Sequence, residues 1–222
     1  MKLLESVLDL LFPPKCPFCG KILDHPGICP VCKSTLPWIL EGETLWELPS
    51  GVRCAAPLWY EDLARKGLLR LKFHGVCAAA EPLGALIAQC AAEHFSGEFD
   101  TVTWVPVSSK RLRQRGYDQA ELLARSACRL WRVKPERLLI KQTDTPAQSS
   151  LEDAAARRQN VRDVYQAQSA AGKRILLVDD ICTTGSTLAE CARTLMSAGA
   201  ESVLCVAVAR TPQEKVHSSV KE

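Results

Sequence analysis

The sequence predicts an α/β fold in which a parallel sheet is flanked by helices, with a small cysteine-bearing segment at its N-terminal end. Three stretches carry this expectation. ILLVDD (175–180) is an unbroken aliphatic run of the kind found in a strand covered on both faces. It leads through a short hydroxyl-rich turn to a helical pattern and then to a second apolar strand, ESVLCVAVA (201–209). TVTWVPV (101–107) has the branched and aromatic makeup of another strand. KCPFCGKILDHPGICPVCK (15–33) carries two C-x2-C pairs in a stretch too short to hold a core of its own.

The 222 residues, 47% apolar and 24% charged, suit one sizeable core plus a small appendage and exclude a disordered chain. The expected division is a helix and cysteine ribbon over 1–50, the main domain over 51–210 and a polar tail over 211–222. No stretch approaches the roughly 20 apolar residues of a bilayer span. The run MKLLESVLDLLFPP is broken by Glu5 and Asp9 and has no small-residue cleavage site after it. It reads as a brief amphipathic helix with Leu3, Leu4, Val7, Leu8 and Leu11 on one face. The expectation is a cytoplasmic protein with no membrane insertion.

Cysteine usage agrees with a reducing compartment. Cys54, Cys77, Cys90, Cys128, Cys182, Cys191 and Cys205 are scattered through apolar segments, where a free thiol packs as a small hydrophobe. Cys16, Cys19, Cys29 and Cys32 are different, because two C-x2-C knuckles nine residues apart can bring four thiolates to one tetrahedral Zn²⁺ at about 2.3 Å per bond. Disulfides or free thiols are the alternatives. His25 lies between the knuckles and reads as a solvated loop residue, since four cysteines fill the site. A closed four-thiolate site has no open position for catalysis, so the zinc is structural. Metal binding would supply on the order of 10–16 kcal/mol to a segment that cannot fold unaided.

Residues 37–57, interrupted by prolines, glycines and acids, read as a connector with a hairpin. YEDLARKGLLRLKFHG then interleaves Leu63, Leu68, Leu69 and Phe73 with Arg65, Lys66, Arg70 and Lys72, a basic amphipathic helix ending near Gly75. An alanine-rich helix over 79–95 precedes the strand TVTWVPV. Between Ser108 and Arg137 stand nine Lys or Arg against three acids, a local +6 against +3 for the whole chain. The densest part, SSKRLRQRGYD, reads as a loop at the C-terminal end of a strand, where open α/β sheets bind ligands; a solvated surface loop is the other reading. The next helix starts at Asp118 with Glu121 three residues on, a capping-box arrangement, and has Ala120, Leu123, Ala124, Ala127 and Trp131 as its apolar stripe.

The turn after ILLVDD explains its composition. At a helix N-terminus, backbone N–H groups and the dipole favour an anion. Gly185 lets the chain come close, and Thr183, Thr184, Ser186 and Thr187 add hydroxyl donors. Thr187 and Glu190 are placed to form a capping box, and the strand–helix–strand unit predicts a right-handed parallel crossover. Asp179 and Asp180 suit the 2′ and 3′ hydroxyls of a ribose. A Walker nucleotide loop is excluded, because G-x4-G-K-[ST] is absent.

At these residues the sequence resembles the type I phosphoribosyltransferases, whose phosphoribosyl pyrophosphate (PRPP) motif is a hydrophobic strand, two acids and a threonine- and glycine-bearing loop. The order of parts is similar to one branch of them, the ComF family: four-cysteine ribbon, LRLKFHG helix, VPV with KRLRQRGYDQAELLA, then TPAQSSL with RRQNV, and the PRPP motif. The resemblance implies a type I phosphoribosyltransferase-like sheet in which Asp179 and Asp180 hold the ribose. Thr183, Thr184, Gly185, Ser186 and Thr187 would hold the 5′-phosphate, and Ser108, Ser109, Lys110 and Arg111 the pyrophosphate. Family members commonly carry a different tripeptide where Val107, Ser108 and Ser109 stand, so individual roles in that loop stay open. A flexible loop over PRPP would include Lys141, Thr145, Gln148 and Arg158, and Mg²⁺ would accompany PRPP.

Three functions remain open on these grounds. One is a PRPP-binding protein that supports DNA uptake by handling incoming single strands, together with competence or DNA-processing proteins, using Arg113, Arg115 and Tyr117 as nucleic-acid candidates. The others are a salvage phosphoribosyltransferase acting on a free nucleobase and a non-catalytic zinc-dependent adaptor. Trp104 and Trp131 are expected in the core rather than on bases.

Overall fold

The computed structural model describes residues 13–73, 77–142 and 164–212. The expected N-terminal helix and the tail beyond residue 212 lie outside these residues. In chain order the elements begin with α1 (Pro30–Thr35) in the ribbon, β1 (Leu45–Glu47), β2 (Arg53–Ala55), β3 (Leu58–Trp59) and α2 (Asp62–Phe73). After a 3₁₀ turn come α3 (Ala80–Phe95), β4 (Thr101–Trp104), α4 (Ser109–Arg115) and α5 (Gln119–Trp131). The chain ends with β5 (Leu139–Lys141), β6 (Tyr165–Ala167), β7 (Arg174–Cys182), α6 (Ser186–Ser197) and β8 (Ser202–Arg210).

The main sheet has the order β1-β2-β8-β7-β4, with β3 also alongside β8. Its pairings are parallel except for the β1–β2 hairpin, which makes the sheet mixed at one edge. β7 and β8 form the centre, and their aliphatic runs are buried almost end to end, as a strand covered on both faces requires. Leu176, Val178, Leu204, Val206 and Val208 pack with Leu68 and Leu71 of α2, Leu83 and Ile87 of α3, and Leu123 and Ala127 of α5. The opposite face carries Ile175, Leu177, Val203, Cys205 and Ala207 against Leu188, Cys191 and Leu195 of α6 and against Leu139 and Tyr165 of the separate β5–β6 ladder. Cys54, Cys90, Cys128, Cys182, Cys191 and Cys205 are all buried, as small hydrophobes should be.

The ribbon shares the first of these cores rather than standing apart: Cys16, Phe18, Cys29, Cys32 and Leu36 are buried in it. Its contact with α2 is close. Gly67 lies against the Phe18 ring, where a Cβ would come within 2.6 Å of Phe18 Cδ1, and Arg70 Nη1 donates to the Phe18 carbonyl at 2.9 Å.

Local differences from expectation have identifiable causes. The strand expected over 101–107 ends at Trp104. The basic stretch expected as a loop is the helix α4, because Ser108 Oγ accepts from Arg111 N at 3.3 Å and Gly116 closes the helix at φ +78°. β7 continues past its two acids to Cys182, since β8 offers partners as far as Arg210. α6 begins at Ser186 with Gly185 as its N-cap at φ +74°, so Thr187 does not cap it, and Glu190 pairs with Arg193 at 2.7 Å.

Asp118 caps α5 as expected, with Oδ1 accepting from Ala120 N at 3.0 Å and Glu121 N at 3.3 Å. Its other oxygen accepts from Val107 N at 2.9 Å and ties the exit of β4 to α5. Burial pushes its carboxyl up to about 6, against the pull of those three backbone N–H donors.

Two outcomes follow from this packing. Gly67→Ala gains up to about 1 kcal/mol of helix propensity but overpacks the Phe18 contact at about 1–3 kcal/mol, so its melting temperature should fall below that of the wild type, whereas an alanine at the exposed Lys66 should change little. A folded-state carboxyl held above its unfolded value stabilises at low pH and loses that contribution as pH rises through about 6. Denaturant titrations from pH 4 to pH 7 should therefore show wild-type stability falling by about 2 kcal/mol relative to Asp118→Asn.

Candidate functional site

The C-terminal end of β7 brings the predicted acids and the hydroxyl loop together at the centre of the sheet. Side chains alternate along a strand, so Asp179 and Asp180 leave β7 toward opposite faces. Asp180 is 4% exposed and is met by Lys72 of α2, whose Nζ stands 2.9 Å from Asp180 Oδ2 as an ion pair not aligned as a hydrogen bond. Burial works against the Lys72 charge, but Asp180, with Asp179 and Tyr60 behind it, holds the ammonium above its ordinary range.

Asp179 sits on the α6 side, with Oδ1 accepting from Asp180 N at 2.8 Å. Burial, reinforced by the Asp180 charge, pushes its carboxyl well above the usual carboxylate range, and Lys72 offsets this only in part. Tyr165 at the start of β6 is close enough to feel Asp179, Arg111 and Asp118; its hydroxyl is pushed up chiefly by burial. The two faces thus surround the adjacent carboxyls differently: a cation from α2 meets Asp180, whereas Asp179 is buried on the α6 side.

Beyond Cys182 the chain turns into α6. Thr183 is exposed, and Thr184 Oγ1 and Ser186 Oγ share a hydrogen bond of 2.8 Å, so the hydroxyls cluster at the helix N-terminus. Gly185 needs its lack of a side chain twice: its φ is left-handed, and a Cβ would be driven into Leu48, which follows β1 and lies over the loop. Next to this end of the sheet, Arg210 is stacked between Trp46 and Trp59, 4.5 Å from each ring centroid.

The other predicted residues fall into two groups. Ser108 is buried as the N-cap of α4; Ser109 and Lys110 are exposed on its first turn, and Arg111 is half-buried. Arg113 is exposed, Arg115 donates to Gln119 Oε1 at 2.9 Å, and the Tyr117 hydroxyl donates to the Leu71 carbonyl. Trp104 is buried in the core, and Trp131 packs edge-on against Phe99. Lys141 lies over the Tyr165 ring in the β5–β6 ladder, which carries the ends of the expected loop, whereas Thr145, Gln148 and Arg158 lie outside the described residues.

Sequence reasoning missed Lys72, the second hydrogen-bonding role of Asp118, and Leu48. Lys72 had a signal: it stands four residues after the fully buried Leu68, so one of four basic residues on α2 falls toward the buried side.

The four ribbon cysteines form a structural zinc site. Their Sγ atoms lie within 4.8 Å of one another, and Cys19 and Cys29 are 3.7 Å apart. A tetrahedron of 2.3 Å bonds has edges of about 3.8 Å, so the thiols fit the ion. Cys29 Sγ also accepts from Cys32 N at 3.3 Å, and Cys19 Sγ from Lys21 N at 3.5 Å. His25 is exposed and outside the cluster. No helix among the described residues is long and apolar enough to cross a membrane.

A double zinc ribbon domain family matches residues 7–67, and a phosphoribosyl transferase domain family matches residues 140–221. DNA utilization protein YhgH of Escherichia coli K12 is 28% identical over 211 residues, covering 85% of this chain and 92% of the relative. Competence protein ComFC of Bacillus subtilis is 25% identical, covering 83% of this chain and 72% of the relative. YhgH of Escherichia coli O157:H7 is 31% identical, and there the chain spans about half the relative's length (50%). Among solved structures, glutamine PRPP amidotransferase from B. subtilis shares 28% identity at a TM-score of 0.40, over 59% of this chain and 26% of that one. Ribbon, domain matches and relatives together support a phosphoribosyltransferase-like protein of the ComF family with an N-terminal zinc ribbon.

Proposed function

We propose that this protein binds PRPP at the end of β7 and uses that site, with a basic surface beside it, in handling incoming single-stranded DNA during DNA uptake. The run from Asp179 to Thr187 carries the reading. Two buried carboxyls at the end of a central parallel strand lead directly into a glycine-capped helix N-terminus lined with hydroxyls. The acids suit ribose hydroxyls, and the loop suits a phosphate. The site lies at the carboxyl end of the strands, and the phosphoribosyl transferase match covers it.

Asp180 is already paired with Lys72, and burial with the neighbouring Asp180 charge holds the Asp179 carboxyl above the usual carboxylate range. Mg²⁺, arriving with the ligand, would supply charge neutralisation for the leaving pyrophosphate. Within the chain, Asp179 and Asp180 would orient the ribose, while Lys110 and Arg111 on the first turn of α4 would face the pyrophosphate. The names of the relatives, a DNA utilization protein and a competence protein, support the DNA half of the reading, as does the exposure of Lys110 and Arg113. A cytoplasmic location and competence or DNA-processing partners belong to the same proposal.

Calorimetric titration of zinc-replete protein with PRPP, with and without Mg²⁺, should show binding that Asp179→Asn with Asp180→Asn weakens by at least about tenfold, the loss of one hydrogen bond to a charged group. Heat from the double variant equal to that of the wild type would remove the acids from the site. For DNA, the logarithm of affinity for single strands should fall with the logarithm of salt by about 0.7 per phosphate contacted. Removing Lys110 and Arg113 together should make that slope shallower by about 1.4; an unchanged slope would place the contacts elsewhere.

A further inference from the structure

We propose that Lys72 is a positioning residue that joins the zinc ribbon to the sugar-phosphate site, so that bound zinc and an occupied site hold each other in place. The ligand's identity rests on the PRPP reading; the connection rests on geometry alone.

α2 is the shared part. On one side it is fixed to the ribbon by the close approach of Gly67 to the Phe18 ring and by the 2.9 Å hydrogen bond from Arg70 to the Phe18 carbonyl. Phe18 stands between the ligands Cys16 and Cys19, so its backbone follows the metal knuckle directly. One and two residues further along, α2 meets both halves of the candidate site. The Leu71 carbonyl accepts from Tyr117, whose neighbour Asp118 holds Val107 N, and Lys72 reaches Asp180 Oδ2 at 2.9 Å.

A helix transmits displacement because its internal hydrogen bonds keep its length. Loss of zinc frees the Phe18 carbonyl from its knuckle and so loosens the ribbon end of α2. The Asp180 side chain is only 5% exposed, so this carboxylate cannot exchange its partner for water without moving. A buried carboxylate that loses its cation is strongly disfavoured, and Asp180 is one of the two groups offered to the ribose. Linkage makes the effect reciprocal: whatever zinc adds to ligand affinity, the ligand adds to zinc affinity.

The test measures zinc transfer to a chromogenic chelator, with and without PRPP, for wild type, Lys72→Met, Lys72→Gln, Lys72→Arg and the exposed control Lys66→Met. PRPP should slow zinc release from the wild type by about fivefold or more, the lower end of typical coupling. Both neutral variants at Lys72 should lose that protection, Lys72→Arg should recover part of it, and Lys66→Met should behave as wild type. Calorimetric PRPP binding without any change in zinc release, or full protection in the neutral variants, would overturn the proposal while leaving the PRPP reading intact. If the wild type does not bind PRPP, that reading fails by itself, and the ligand-free rates decide the connection. Faster zinc release from the neutral variants than from Lys66→Met supports it, and equal rates overturn it.

Discussion

A strand covered on both faces has no solvent side on which to place a carboxylate, and β7 carries two in succession. Most of what is distinctive in this molecule answers that constraint. Alternation sends one acid to each face, so each must be accommodated by a different layer. Asp180 receives a cation from α2, while Asp179 receives one backbone N–H and is pushed by burial above the usual carboxylate range. Without the apolar run that buries the strand, neither arrangement would be needed.

The same constraint explains why the ribbon is not a detachable module. The layer that supplies Lys72 is the layer that buries Cys16, Phe18, Cys29 and Cys32. A metal knuckle ordinarily folds a segment too small for a core. Here the knuckle also fixes the helix on which the nearest cation to the acids is mounted, so one apolar cluster serves both the metal and the sheet.

The architecture was legible because its strongest signals are local. The aliphatic run 175–178, the paired cysteines and the Asp118 cap each declare themselves within a few residues, and all took the form expected. The strand-end acids and hydroxyl loop of the candidate site could be named from the sequence, but their arrangement could not. Whether SSKRLRQR forms a loop or a helix turned on the Ser108 cap and Gly116, whose left-handed backbone ends α4 after seven residues. Helical spacing turns Lys72 toward the buried side, but its contact with Asp180 spans 108 positions of chain, which no local period encodes. Leu48 over Gly185 is likewise a long-range contact, from a connector whose composition announced only a hairpin.

The β5–β6 ladder has a consequence in polymer terms. It sets Gln142 N on the Val164 carbonyl at 2.9 Å, so two positions 22 apart in sequence are held together by one ladder. For a chain pinned in this way, doubling the contour length adds only about 0.6 kcal/mol of closure entropy. The number of residues between Gln142 and Val164 is therefore only weakly coupled to folding stability, so the ladder lets that spacing vary cheaply.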